Sequence, residues 1–315
     1  MSTNDSLAWE TSGLFLGAMP PQEFLDKFLP ISKDIRVPVE FNDFYDFMGS
    51  IRCATIRENR PCFCTCLWLT NIRQIAAVGK FAPHLKFIDT SKHPDTECDT
   101  LSPDISIYPL DDLPEKGAKT VFSKMGLFVE LEPNDNDDPF LDPTNPSQDF
   151  LFEKDSKDAR LVRGRLASYA AALMESQFRV HSFSVLVCKN HARFIRWDRD
   201  GAIVTRRFDY GKHDFLADFF WRYSRLERDL QGYDPSFLPK TTKDIDIPET
   251  DSNRLKEGNP ECHHEFRILM VPDRHSPENE KEFVVSFPPK YTARSPFGRA
   301  VKSLWVGSDL KDVPL

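Results

Sequence analysis

The stretch from Asp158 to Phe208 limits the possible folds more than any other part of the chain. Leu166, Tyr169, Ala170, Leu173 and Gln177 fall at i, i+3, i+4, i+7 and i+11, one stripe of a helix. The spacing predicts a helix from about Asp158 to Arg179. Three strand-like segments follow: His181 to Cys188, Ala192 to Asp198 and Ala202 to Phe208. Arg199-Asp200-Gly201 joins the last two, and Asp-Gly favours a hairpin because glycine accepts positive φ. A helix with one apolar stripe and strands with apolar faces bury both by packing together. The expected class is α+β, a mixed, mostly antiparallel sheet with flanking helices.

The surrounding sequence extends this unit. Asp104 to Leu110 and Gly126 to Leu131 read as neighbouring strands, separated by the turn-rich loop Asp111 to Gly117. Pro133 to Ser156 is an acidic, Pro- and Asn-rich excursion, too polar for a core, and by default a solvated loop. Phe215 to Arg228 reads as an aromatic-rich helix. Toward the N-terminus, Pro21 to Leu29 and Glu40 to Met48 carry apolar residues at helical spacing, whereas Cys62, Cys64 and Cys66 alternate as on a strand. Gln231 to Pro260 reads as a linker, and Glu265 to Val271, Glu282 to Phe287 and Lys302 to Val306 as strands of a second sheet. The expected division is 1–83, a helical N-terminal segment; 84–230, the α+β core; 231–260, a linker; and 261–315, a short β segment. Open strand edges predict that this last segment packs on the core or is poorly ordered.

Composition narrows the function classes. Apolar residues make up 40% of the 315, enough to bury a core. The formal charge of −8 gives no general counterion-release attraction to nucleic acid, so nucleic-acid binding is not expected. Seven cysteines, scattered and odd in number, read as reduced thiols of the cytoplasm or nucleus. The first residues lack a basic–apolar signal pattern, and no run approaches the roughly 20 apolar residues that span a bilayer, so an intracellular, soluble chain is expected.

The candidate chemistry begins with acids. Glu130 and Glu132 lie two apart on a strand and project together, and Asp104 at the start of the preceding strand joins them. Clustered carboxylates suit a hard cation such as Mg²⁺, with Asp104 and Glu130 as ligands, and a bound ion activates water. Pro103-Asp104, Glu130-Leu131-Glu132 and the helix carrying Arg165 and Tyr169 resemble, in order, the PD-(D/E)XK nuclease superfamily over about Lys86 to Val187. Where the family has lysine this chain has Glu132, so no cation stands beside the acids in sequence; Lys157 and Arg165 are the substitutes the helix offers. The alternative reading is two solvated acids on an edge strand.

A second resemblance covers at least Phe122 to Pro235. Arg163-Gly164-Arg165 with Tyr169-Ala170, Gln177-Phe178-Arg179, His191-Ala192-Arg193 through Gly201-Ala202-Ile203-Val204, Phe208-Asp209-Tyr210, and Gly232-Tyr233-Asp234-Pro235 resemble the N-terminal region of the fungal-type protein kinases. The resemblance implies a kinase lobe afterwards, whose start is similar to Ser295-Pro296-Phe297-Gly298-Arg299-Ala300, making 261–315 an incomplete kinase N-lobe. Its ATP cradle would use Gly298 and Gly307, but Ala300 and Ser303 fill places where the family has glycine. No His-Arg-Asp catalytic loop and no Asp-Phe-Gly occur, and Arg228-Asp229-Leu230 imitates the former at the end of an aromatic helix.

The leading expectation is therefore a non-catalytic accessory or scaffold region of a fungal-type protein kinase, binding a protein partner or a kinase domain. One alternative is a Mg²⁺-dependent phosphodiester hydrolase using Asp104, Glu130 and Glu132. The other is a fragment of an active kinase whose catalytic lobes lie beyond residue 315. Three further patterns read as structure. Cys62, Cys64 and Cys66 with Cys262-His263-His264 lack zinc-site spacing. Asp198-Arg199-Asp200-Gly201 lacks the Glu that closes a calcium loop. Arg193 to Arg199 offers Arg193 and Trp197 for nucleotide stacking, yet reads more simply as a strand with its aromatic residues in the core.

Overall fold

Strand alternation sorts the core onto two faces of one sheet. In the computed structural model, which describes residues 3–31, 82–96, 98, 100–115, 117, 120–143, 150–238, 265–272, 279–287, 291–292, 296–297, 302–303 and 306–309, seven strands form that sheet. They are β1 (Phe15–Met19), β2 (Leu85–Asp89), β3 (Ile105–Pro109), β4 (Leu127–Leu131), β5 (His181–Val187), β6 (Ala192–Asp198) and β7 (Ala202–Thr205). Their order is β1-β7-β6-β5-β4-β3-β2. The β1/β7 and β4/β5 pairs are parallel and the other four antiparallel, so the sheet is mixed and mostly antiparallel. Parallel β4 and β5 require a crossover, which the long helix supplies.

Ile107, Val129, Val185 and Phe194 point to one face, where α2 (Pro21–Phe28) and α4 (Phe215–Tyr223) bring Phe24, Leu25, Phe219 and Phe220. Tyr108, Phe128, Leu186 and Trp197 point to the other, covered by Leu166, Ala170 and Leu173 of α3 (Lys157–Ser176) and Leu7 of α1 (Thr3–Glu10). Ser156 caps α3, its hydroxyl accepting from the Ala159 amide at 3.2 Å. The helix ends before the expected Arg179 because Gln177 turns extended and donates to the Phe122 and Met125 carbonyls at 2.5 and 2.7 Å. The α4 helix likewise stops at Tyr223, short of Arg228.

Two expected divisions differ from the structure. The segment 1–83 is not only helical in its described part: β1 forms an edge of the main sheet, because Phe15 buries itself against Phe140 and Trp197, with ring centroids 5.3 and 5.7 Å away. The expected linker 231–260 starts inside the fold. Arg179 bridges Tyr233, Phe178 stacks on Phe237 at 3.5 Å, and β8 (Phe237–Leu238) pairs with β9 (Glu265–Pro272). The second sheet runs β13-β10-β9-β8, with β10 Glu280–Phe287 and β13 Val306–Asp309. The expected strand Lys302 to Val306 is split: β12 (Lys302–Ser303) pairs instead with β11 (Tyr291–Thr292). Phe297 is buried within 6.2 Å of the Phe15 ring and 6.1 Å of the Trp197 ring, seating its segment on the first core. The helix expected at Glu40 to Met48 and the strand at Cys62 to Cys66 lie outside the described residues. Among those described, no helix is long and apolar enough to cross a membrane.

The turn before β8 demands glycine. Gly232 has φ +103°, and a Cβ there would lie 2.0 Å from the His181 carbonyl oxygen. Backbone strain and a clash against main chain together predict that Gly232→Ala costs about 2–4 kcal/mol, read from urea unfolding. A loss below about 0.5 kcal/mol would mean the turn relaxes freely.

Candidate functional site

The acid cluster assembles where β3 begins and β4 ends. Asp104 precedes Ile105, and its Oδ2 accepts from the Leu131 amide at 3.0 Å, pinning one strand start to the neighbouring strand end. On β4, Val129 faces the α2/α4 side, so alternation turns Glu130 toward α3. Arg165, on the second turn of α3 after its first residue Lys157, reaches down to meet it. Arg165 Nε lies 2.6 Å from Glu130 Oε1, and its Nη2 pairs with Glu132 Oε1. Glu130 is buried and Glu132 half-buried, their side chains 5% and 9% exposed. Tyr169, one turn further along, donates to the Ser102 carbonyl at 3.0 Å, holding the segment that carries Asp104, and its hydroxyl lies within the field of the three acids.

The expectation that no cation stands beside the acids is thus corrected. Arg165 fills that role because it lies on the α3 face that β4 presents Glu130 to, a neighbourhood across 35 residues of sequence. Lys157, exposed and about 12 Å back along the helix, does not. The guanidinium takes Oε1 of both Glu130 and Glu132, and among the described residues no group of three or more His, Cys, Asp or Glu is disposed to hold a metal ion.

Three carboxylates share one guanidinium, so full ionisation would leave two excess negative charges in a buried site. Burial first, then the charge of Asp104, hold the Glu130 carboxyl well above the usual range, despite Arg165. Glu130 Oε2 has no hydrogen-bond partner. Burial also pushes Glu132 up to about 7 against the pull of Arg165, and Asp137 and Asp104 add to the rise. Asp104 is raised, chiefly by burial and less by Asp89. Burial works against the Arg165 charge, but Glu130 and Glu132 outweigh it and raise that group.

These shifts set a pH dependence. A raised carboxyl binds its proton in the folded state above pH 4.5 while the unfolded chain has lost it, so its stabilisation is lost as pH rises through the folded value. His181, pushed down to about 4 by burial and by Arg196, acts in the opposite sense only below about 6.5. Between about pH 6.5 and 8 stability will fall by about 1–2 kcal/mol. Thermal melts will read it, and Glu132→Gln will flatten part of the slope. A flat wild-type profile would show the acids fully ionised in the fold.

The other candidates resolve as structure or fall outside the described residues. Trp197 is fully buried and donates to Ser184 Oγ at 2.8 Å, so the stretch Arg193 to Arg199 is core strand and hairpin, not a stacking platform. Asp198 pairs with Arg196 and accepts from the Asp200 amide at 3.0 Å, as a turn residue does. Gly307 sits within β13; Gly298, Cys62, Cys64, Cys66, Cys262, His263 and His264 lie outside the described residues.

Sequence reading missed a second charged cluster. Arg193, 1% exposed, lies 2.8 Å from Asp138 and 2.7 Å from Asp142, and His191 stands between Asp135 and Asp138. His191 and Arg193 two apart at the start of β6, after an aspartate-rich loop, were the available signal. Compared with protein-family models, curated proteins and solved structures, the chain gives no match.

Proposed function

We propose that the chain is a non-catalytic binding module, the accessory or scaffold region of a fungal-type protein kinase. The observation that carries this reading is Arg165: it turns the Asp104–Glu130–Glu132 cluster into an internal tie between β4 and α3. The motifs behind the resemblance also act as packing devices. Arg179 donates to the Gln231 and Met125 carbonyls at 2.9 and 3.1 Å, stacks on Tyr233 at 3.8 Å, and so fastens Gln177-Phe178-Arg179 to Gly232-Tyr233-Asp234. Such residues build a rigid surface for a protein partner or a kinase domain. The test is turnover of ATP with Mg²⁺ by the purified chain: none above buffer is expected, and a rate lost on Glu130→Ala or on chelation overturns the reading.

One feature favours a second reading, Mg²⁺-dependent phosphodiester hydrolysis. Arg165 supplies the positive charge missing at Glu132, and Glu130 keeps one oxygen without a partner. Calorimetric titration with Mg²⁺ separates the two. Heat that disappears on Glu130→Ala supports hydrolysis; no heat from either protein removes it.

A further inference from the structure

One hairpin reaches back onto the first core. β11 and β12 pair Tyr291 with Ser303 and Thr292 with Lys302, so residues 293–301 connect them and Phe297 stands at the middle of that connection. Pro296 and Phe297 are buried, and Phe297 belongs to the core cluster on the α3 face of the first sheet. Its ring stacks on Trp197 at 6.1 Å, with the planes 23° apart, and meets Phe15 edge-on at 6.2 Å. Beside the ring, Arg199 Nη1 donates to the Pro296 carbonyl at 3.3 Å, across 97 residues of sequence.

The walls of this pocket are fixed by contacts of their own. Phe15 rests on Phe140 at 5.3 Å, and the Trp197 indole donates to Ser184 Oγ at 2.8 Å. The turn that carries Arg199 is held against β1, because the Ala202 amide donates to the Leu14 carbonyl at 2.9 Å. A Cβ at Gly201 would lie 2.5 Å from that same oxygen, so only glycine lets the two segments close. The occupant is held less firmly. Its bond to Arg199 lies at the long end of the hydrogen-bond range, and burial works against the Arg199 charge. An apolar slot with a directional donor at its rim suits a peptide segment that offers one ring and one carbonyl.

We propose that Pro296-Phe297 is a detachable finger that occupies, within the chain, a pocket for a proline–aromatic segment of a protein partner. The seated finger closes the pocket, and a partner opens it by displacement. The second sheet stays tethered meanwhile through β8, where Phe237 stacks on Phe178 at 3.5 Å. The inference rests on the reading of the chain as a binding module and names the chemistry of its partner. The two fail separately: ATP turnover overturns the module, whereas a silent peptide overturns only the finger.

The probe is a synthetic peptide of residues 293–299, Ala-Arg-Ser-Pro-Phe-Gly-Arg, with a control copy carrying alanine in place of Phe297. Added in excess to the full wild-type chain, it should displace the finger and speed amide exchange of β11 and β12 about tenfold, while β5 and β6 stay protected. Phe297→Ala empties the pocket in the full chain. That variant should bind the peptide at least about tenfold more tightly than the wild type, shift the Trp197 indole and Phe15 amide resonances, and ignore the control. A peptide that binds neither chain, or both equally, overturns the finger. So does β11 and β12 exchange that ignores the peptide. Loss of β5 and β6 protection in Phe297→Ala, or failure of that chain to fold, would make Phe297 part of the core and overturn it too.

Discussion

Replacing Asp138 with alanine will destabilise the chain by about 3–5 kcal/mol, the effect expected when one partner of a buried ion pair is removed. Both Asp138 and Arg193 have side chains 1% exposed, and the carboxylate accepts from Arg193 Nε, from His191 and from the Phe140 amide. Alanine would leave the guanidinium with Asp142 and the carbonyls of Thr205 and Phe140, too few for a charge at that depth. The double variant Asp138→Leu, Arg193→Met removes both charges and should cost less than the sum of the singles. Urea unfolding of the four proteins measures this. An Asp138→Ala loss under about 1 kcal/mol would show that water reaches Arg193.

The pair also sets an acid limit. Burial works against the Asp138 carboxylate, but the bonds from His191 and Arg193 outweigh it and hold the group below its usual value of 3.8. A lowered carboxyl stabilises fully above its unfolded value and loses that contribution as pH falls through the folded one. The acid limb should therefore be flatter in Asp138→Ala, which lacks that group, and the stability gap to the wild type should narrow as pH falls.

The second large effect belongs to Arg165. Arg165→Met will cost about 2–3 kcal/mol at pH 8, a figure reduced from the buried-pair range because the arginine side chain is 35% exposed. The loss will shrink toward pH 5.5, since Glu130 and Glu132 already sit high and can take protons in place of the missing cation. Arg165→Lys should fall between, because an ammonium is a point charge and cannot fork across two carboxylates. Equal losses at both pH values would mean Arg165 stabilises through packing alone.

Much of the fold was legible in one dimension because its signals are local. The α3 stripe, the Asp-Gly hairpin and the alternation of β5 and β6 depend on residues within a few positions of one another, and each element lies where its pattern put it. The acids were legible too: Glu130 and Glu132 share a face because strand geometry repeats every two residues. Beyond such short distances the signal fades. Phe15 to Met19 gave no sign of joining the sheet, since a short edge strand is defined by its partner β7 and not by its own pattern. Phe237–Leu238 was hidden in a Pro- and Asp-rich stretch for the same reason.

Sequence by itself determined the class of this protein, the main helix, the central hairpin and the candidate acids, all consequences of backbone periodicity. Tertiary structure alone decided which charges meet. It set Arg165 against Glu130, and it placed Arg193 and His191 against Asp138, pairs separated by 35, 55 and 53 residues. The physical reason is that burial makes an ionised group depend on its nearest opposite charge, and nearness across strands and helices follows from packing, which no local pattern encodes.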